Sequence, residues 1–363
     1  MPGIAGVIGP RCAEFARETV AAMLESMRHE SYYVSGMAAA EQCDAYFGWL
    51  AHPDSWADRQ SGVSEDGLGV AVAGECFASL EDGASTAPAP QLLKSYRASE
   101  TRFVSRLNGL FAGVLTDSRR QIVHVFNDRY GAEHVYFHVS NGTLYFASEA
   151  KALLSVLPQL RAFDADGVAQ FLAYGSTYDE KTLFRGVARM PGGSAWTYEP
   201  GKGLRQTRYF EPAEWEQQNE LSEAAFEEEF VATARAVLPM YARPSEQVGI
   251  SITGGLDTRM LMACLPPGAK PVCHTYCALA GETLDVSVGR RVAHGLGLEH
   301  QTLRVTRDFV ADLAGHIDRT VFVTDGGHGA LGAHELFLSE LARELAPIRL
   351  TGNFGSEVLR SVS

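Results

Sequence analysis

Apolar residues in roughly the first 190 positions recur in short runs of β-branched or alternating character, the period of strands. Such runs cover 4–8, 68–72, 111–116 and 122–126. Two more, 135–139 and 144–146, flank Asn141-Gly142, a pair that tolerates positive φ and predicts a hairpin. Helical spacing falls between these runs, over 13–27, 91–96, 149–156 and 164–173. From 192 to 219 the Pro, Gly and Gln residues weaken the periodicity, which predicts a linker near 205–220.

Beyond that linker the pattern alternates. An amphipathic helix is expected over 222–238, with Phe226, Phe230, Ala234, Val237 and Leu238 on one stripe. Strands at 248–253, 271–279, 300–305 and 348–351 alternate with helices through 261, at 285–296, 309–319 and 333–345. Strand–helix alternation predicts a parallel, doubly wound sheet with ligands at the carboxyl ends of its strands. The expected fold class is therefore α/β, with a β-rich α+β first half.

Composition sharpens this picture by exclusion. The formal charge of −13 over 363 residues, without a Lys/Arg run, argues against a nucleic-acid surface. A local positive pocket for a nucleotide is still compatible with an acidic chain. No stretch approaches the roughly 18–20 apolar residues that span a bilayer, and positions 1–10 lack the pattern of a signal peptide. Six scattered cysteines, with Cys273 and Cys277 expected as buried reduced thiols, point to a cytoplasmic protein that engages neither nucleic acid nor membrane.

The sharpest chemistry lies at Ser251-Ile252-Thr253-Gly254-Gly255-Leu256-Asp257-Thr258. A strand ends in two glycines, a carboxylate and a hydroxyl, then enters a helix. Glycines let the backbone approach a ligand, and amides at a helix start favour an anion. Thr253 and Thr258 add hydroxyl donors, and Asp257 beside phosphate implies an intervening Mg²⁺. The plainer reading is a turn in which Asp257 caps the helix. Local physics leaves both open.

The segment resembles the pyrophosphate loop of adenine-nucleotide α-hydrolases, S-G-G-x-D-S, with Thr253 and Thr258 keeping the hydroxyls and Arg259 adding positive charge. Residues 274–278 are similar to the strand that follows that loop in the family, 285–300 to its next helix and strand, and 351–358 to the segment S-G-E-G-[SA]-D-E. The resemblance implies that Ile252, Ala278, Thr351 and Gly352 line a nucleotide site. In the last segment Asn353 stands in for a glutamate. Aligned without a gap, Ser356 replaces the family's aspartate; with one insertion Glu357 takes that place, and as a metal-holding partner of Asp257 it is the preferred reading.

The start Met1-Pro2-Gly3-Ile4-Ala5-Gly6-Val7 resembles that of class II glutamine amidotransferases, where position 2 is the cysteine nucleophile. Leu107–Ala112, Asn127–Gly131, Phe146–Leu153, Thr182–Gly186 and Met190–Gly193 are similar to further motifs of the same domain, in the same order. The whole arrangement resembles the asparagine synthetase family. The implied layout is an Ntn-hydrolase-like αββα sandwich over 1–210 and a PP-loop synthetase domain over 220–363, cut short at its far end.

Four positions depart from the glutaminase pattern: Pro2 for the cysteine, Ala73 for the oxyanion asparagine, 48–51 without the substrate-binding arginine, and 87–91 without an aspartate. The resemblance to β-lactam synthetases implies that such a domain is structural. The expected function is an ATP- and Mg²⁺-dependent ligase joining a small-molecule carboxylate to ammonia or an amine, as a possible homodimer; the alternative is a non-catalytic nucleotide-binding homologue. His124, His134, His138 and His300 are expected to be packed or surface residues. His328 borders the site at most, and Asp285 either anchors substrate or caps a helix.

Overall fold

The fold is given by a computed structural model, which describes residues 2–9, 13–77, 88–100, 102–242 and 247–353. The chain divides into two compact units, Met1–Gln218 and Asn219–Ser363.

The strands of the first unit are β1 (Gly3–Ile8), β2 (Val34–Ala40), β3 (Ala45–Ala51), β4 (Val63–Glu65), β5 (Leu68–Phe77), β6 (Asn108–Asp117), β7 (Ile122–Asn127), β8 (Tyr136–Ser140), β9 (Thr143–Ala147), β10 (Ala188–Arg189), β11 (Ala195–Glu199) and β12 (Gly203–Arg205). Its helices are α1 (Ala13–Ser26), α2 (Trp56–Gln60), α3 (Pro88–Ala98), α4 (Ala150–Val156), α5 (Ala165–Tyr174) and α6 (Ala213–Glu216). The strands form two antiparallel sheets, in the orders β10-β8-β9-β1-β3-β2 and β12-β11-β7-β6-β5-β4.

Period-two alternation sets the layers. Along β1, Ile4 and Ile8 join a core shared with Ala71, Ala73, Val114, Val125 and Trp196 of the second sheet. Ala5 and Val7 face the other way and pack with Val20, Met23 and Leu24 of α1 and Leu153 of α4. On the far side, Val70, Val72 and Leu115 meet Leu92, Leu93 and Tyr96 of α3. The result is helix, sheet, sheet, helix. The β8–β9 hairpin turns at Asn141 (φ 51°) and Gly142 (φ 77°), as their tolerance of positive φ requires.

Two features depart from the sequence expectation. β2 is mostly alanine, glycine and serine, and the aromatic residues of β3 are interrupted by alanine and glycine, so neither shows a run of β-branched residues. β11 and β12 also occupy part of the weakly periodic 192–219 segment, because Trp196 and Tyr198 are buried in the inter-sheet core.

The amidotransferase-like motifs act here as internal staples. Buried Asp128 accepts backbone N–H groups from Phe111, Tyr130, Ala132 and Glu133 at 2.9–3.3 Å. Arg129 donates to Leu107 O, Asn108 Oδ1 and Ser105 O, and Asn127 spans Pro191 O and Ser194 N. Each satisfies buried backbone groups that no ladder reaches.

The second unit holds α7 (Glu223–Val237), β13 (Val248–Ser251), α8 (Leu256–Ala263), β14 (Val272–Cys277), α9 (Leu284–Gly295), β15 (His300–Arg304), α10 (Arg307–Ala311), α11 (Leu313–Val323), α12 (Ala333–Leu345) and β16 (Ile348–Leu350). Its four strands are all parallel, in the order β15-β14-β13-β16. Met262 of α8 and Ala293 of α9 cover one face, over Val248, Ile250 and Ile252. Leu338 and Ala342 of α12 join Leu303 in a separate cluster, with Tyr276 packed against it. The expected apolar stripe of α7 is present, yet none of its residues is buried and Phe226 is 50% exposed. Among the described residues no helix is long and apolar enough to cross a membrane.

Candidate functional site

In the second unit the chain runs from β13 outward to β14 and β15, then returns to β16 on the opposite side of β13. The strand order therefore reverses between β13 and β16. Crevices at the carboxyl ends of strands flanking such a reversal are where open α/β sheets bind ligands. The loop 252–255 leaves β13 at that point, and Thr351 and Gly352 leave β16 beside it.

Gly352 packs directly on the start of α8. A Cβ there would lie 2.9 Å from Asp257 Cβ, Thr258 Cγ2 and the Thr258 backbone nitrogen. Two segments nearly a hundred residues apart thus meet at one spot.

The loop is held by its own hydroxyls. Thr253 Oγ1 accepts from Gly255 N at 3.1 Å, and Thr258 Oγ1 accepts from Thr253 N at 3.3 Å. Gly255 is the N-cap of α8 and has no side chain to bond the first-turn amides. Those amides, with the positive end of the helix dipole, suit an anion. Thr258 is 7% exposed, whereas Gly255, Leu256 and Arg259 face solvent, and Arg259 Nε donates to Gly255 O at 3.3 Å.

Behind the loop a buried relay fixes the strand end. Thr275 Oγ1 donates to Ile252 O, at 2.5 Å, and lies 2.9 Å from His300 Nε2. With the Thr275 hydroxyl proton directed at the Ile252 carbonyl, Thr275 Oγ1 accepts from His300, which assigns the imidazole proton to Nε2. Burial holds the His300 imidazole below its ordinary pKa, assisted by Arg290. Gly289 of α9 makes room: a Cβ there would meet Thr275 Oγ1 at 2.8 Å and Ile252 O at 2.9 Å. The strand's other residues gave a periodicity signal; Thr275 and His300 gave none that singled out this pairing.

Ile252 differs from the other loop residues. Its side chain is fully buried, its N–H donates to His274 O at 2.8 Å, and its carbonyl is held by Thr275. It fixes the loop's starting point from the core side. Ala278 is exposed at the carboxyl end of β14, and Thr351 and Gly352 are half-buried at that of β16. Glu357 and Ser356 lie outside the described residues.

Two capping expectations are corrected. The cap of α8 is Gly255, so Asp257 sits in the first turn and is not the cap. The cap of α9 is Thr283, whose hydroxyl accepts from Val286 N, and Asp285 again lies two residues past the cap. Cys273 and Cys277 are buried free thiols. His328 is exposed on the turn after α11, its amide donating to Thr324 Oγ1 at 3.0 Å.

Among the described residues no group of three or more His, Cys, Asp or Glu is arranged to hold a metal ion. Mg²⁺ is usually held by one or two carboxylates together with substrate phosphates and water.

At the corresponding amidotransferase position of the first unit, Pro2 is half-buried just ahead of β1. Gly3 of β1 pairs with Leu50 of β3, and Ser148 Oγ accepts from Ile4 N. Ala73 is fully buried in the inter-sheet core beside Ile4. Glu149 accepts from His29 Nε2 at 2.9 Å and from Lys151.

The glutamine amidotransferase domain family matches residues 79–210. Asparagine synthetase [glutamine-hydrolyzing] 1 of Bacillus subtilis (strain 168) is 23% identical over 58% of this chain and 33% of its own length. Asparagine synthetase [glutamine-hydrolyzing] 3 of Arabidopsis thaliana is 25% identical over 84% of this chain and 51% of its own length. The amidase chyE of Penicillium rubens is 31% identical over 46% and 24%. The chain is thus similar to glutamine amidotransferase domains over residues 79–210 and to asparagine synthetases over 58% to 84% of its length. It spans between a quarter and about half of the length of these relatives.

Proposed function

We propose that the second unit binds Mg·ATP at the 253–258 loop and takes part in ATP-dependent amide-bond formation. The reading rests above all on one juxtaposition: Gly352, at the end of β16, seated against Asp257 and Thr258 at the point where strand order reverses. A site with uncapped amides, two hydroxyls, one carboxylate and Arg259 is suited to a polyphosphate and its cation.

In the proposed chemistry a substrate carboxylate oxygen attacks the α-phosphorus of ATP. The bond from that phosphorus to the bridging oxygen breaks and pyrophosphate departs. Ammonia or an amine then attacks the acyl carbon, and AMP leaves with the former carboxylate oxygen. The residues contribute position and charge, the main levers in phosphoryl-type transfers. The 253–258 backbone receives the pyrophosphate, Thr258 fixes the turn, and Arg259 offsets negative charge. Asp257 would hold Mg²⁺ together with the nucleotide's phosphates, and the cation supplies charge neutralisation when bound.

ATP–pyrophosphate exchange, driven by candidate carboxylates such as aspartate or a β-amino acid, tests this reading. Label should enter ATP with one of them and fall at least a hundredfold in Asp257→Asn. Mg·ATP binding without exchange for any carboxylate would favour the second reading, a nucleotide-binding homologue without catalysis, to which Asn353 in place of the family glutamate lends support.

We further propose that the first unit is a scaffold rather than a glutaminase. Pro2 offers no thiol, and Ala73 offers no side-chain amide to an oxyanion. Glutamine incubated with the protein should release no glutamate above the uncatalysed rate. Release that survives rigorous purification would overturn the scaffold assignment.

A further inference from the structure

A cavity of about 470 Å³ opens in the first unit on the α3 side of the β12-β11-β7-β6-β5-β4 sheet. Its walls include Phe103 and Ser105 near the start of β6, His124 of β7, Thr197 of β11, Arg205 of β12, and Thr207 and Tyr209 beyond it. Arg102, Arg208 and Glu100 complete the charged lining. In a chain of net charge −13, three arginines against one glutamate is a local inversion of sign.

The charges are unequally matched. Glu100 is paired with Arg120, outside the lining, and Arg208 with Glu211 at 3.0 Å. Arg102 and Arg205 have no carboxylate within ion-pair distance among the described residues, so two guanidinium groups border the space uncompensated. Guanidinium forks match the geometry of carboxylate and phosphate oxygens.

The second observation is in the wall. His124 is only 8% exposed, with Tyr96 and Phe103 edge-on to its ring at 5.5 Å each. Its Nδ1 lies 3.1 Å from Thr197 Oγ1, while Nε2 has no partner among the described residues. If the Thr197 hydroxyl donates to Nδ1, Nε2 carries the proton and is a buried donor lacking an acceptor. Native structures seldom leave such a group unmatched, because its desolvation is uncompensated. An incoming oxygen would satisfy it. Burial, reinforced by Arg205, lowers the imidazole pKa from 6.5 to about 4 and outweighs the opposing pull of Asp117 and Glu199, so the ring faces the cavity uncharged.

From this arrangement we propose that the cavity bordered by Arg102, Arg205 and His124 binds a small multivalent oxyanion. The volume exceeds that of a bare ion and falls within the range of sites for small metabolites. Two uncompensated guanidinium groups would engage its charged oxygens. The ligand carries phosphate or several carboxylates, and both share the oxygen geometry the arginines read. This site lies in a different unit from the 253–258 loop and stands independently of the nucleotide reading.

Calorimetric titration at constant ionic strength tests the proposal, with inorganic phosphate in one arm and citrate in the other. Saturable binding of at least one is expected, weakened tenfold or more in the double variant Arg102→Gln/Arg205→Gln and unchanged within twofold in Lys270→Gln, at an exposed lysine of the second unit. Both arginines are exposed, so the double variant should keep the wild-type far-ultraviolet circular dichroism. Stronger phosphate than citrate binding assigns a phosphorylated ligand; the reverse assigns a polycarboxylate. No saturable heat in either arm, binding indifferent to the double substitution, or binding lost only in Arg259→Gln would each overturn the proposal.

Discussion

At Gly352 the absence of a single atom lets two distant segments meet. Any β-carbon would press within 2.9 Å of the Thr258 backbone nitrogen, a contact with main chain that no rotamer change relieves. Gly352→Ala should therefore push β16 away from α8. Overpacking of this kind typically destabilises by about 1–3 kcal/mol. Urea unfolding should register that loss, and Mg·ATP affinity should fall at least tenfold in the same variant. Unchanged stability and affinity would show that the 351–352 segment does not abut α8 in solution. Asp257 and the two threonines were legible in the sequence because glycines, hydroxyls and a carboxylate at a strand end form a recognisable set. Thr275 and His300 were not, since a buried hydroxyl–imidazole pair is assembled only by parallel pairing of β14 with β15.

Among the strands, β14 carries the clearest pH-sensitive feature. His274 is fully buried on it, with neither ring nitrogen hydrogen-bonded among the described residues. Burial, reinforced by Arg349 and His300, lowers its pKa from 6.5 to about 4. The folded state thus resists protonation while the unfolded chain accepts a proton below about 6.5. Between these values the unfolded state binds more protons, so stability is full at neutral pH and is lost as pH falls through that window. The loss approaches about 1.4 kcal/mol per pH unit for one such histidine. His274→Leu, of similar volume and needing no partners, should flatten the dependence of second-unit stability between pH 6.5 and 4. An equally steep dependence in that variant would assign the acid sensitivity elsewhere. Sequence pattern found the strands of this sheet and the Asn141-Gly142 hairpin, where hydrophobic period and turn chemistry agree. It missed β2, dominated by alanine and glycine with little strand preference, β3, whose strand-favouring aromatics are interrupted by alanine and glycine, and β11, short and set between glycines.

Across the whole chain, two architectures built by different rules share one polypeptide. The first unit is a stack of antiparallel sheets whose family motifs are spent on internal hydrogen bonds through Asp128, Arg129 and Asn127. The second is a parallel sheet whose strand reversal brings the 252–255 loop beside Thr351 and Gly352, where phosphate binding is proposed. Fold class and loop were readable because both rest on local period and spacing. The β13–β16 reversal and the arginine-lined cavity were not, because strand order and cavities arise only when distant segments pack. The central claim is that the loop after β13 holds the polyphosphate of ATP with magnesium through Asp257. Isothermal titration of the whole chain with Mg·ATP measures this most directly. One saturable site is expected, with affinity reduced at least tenfold in Asp257→Asn and when magnesium is withheld. No heat, or binding equal in wild type and Asp257→Asn, would contradict it.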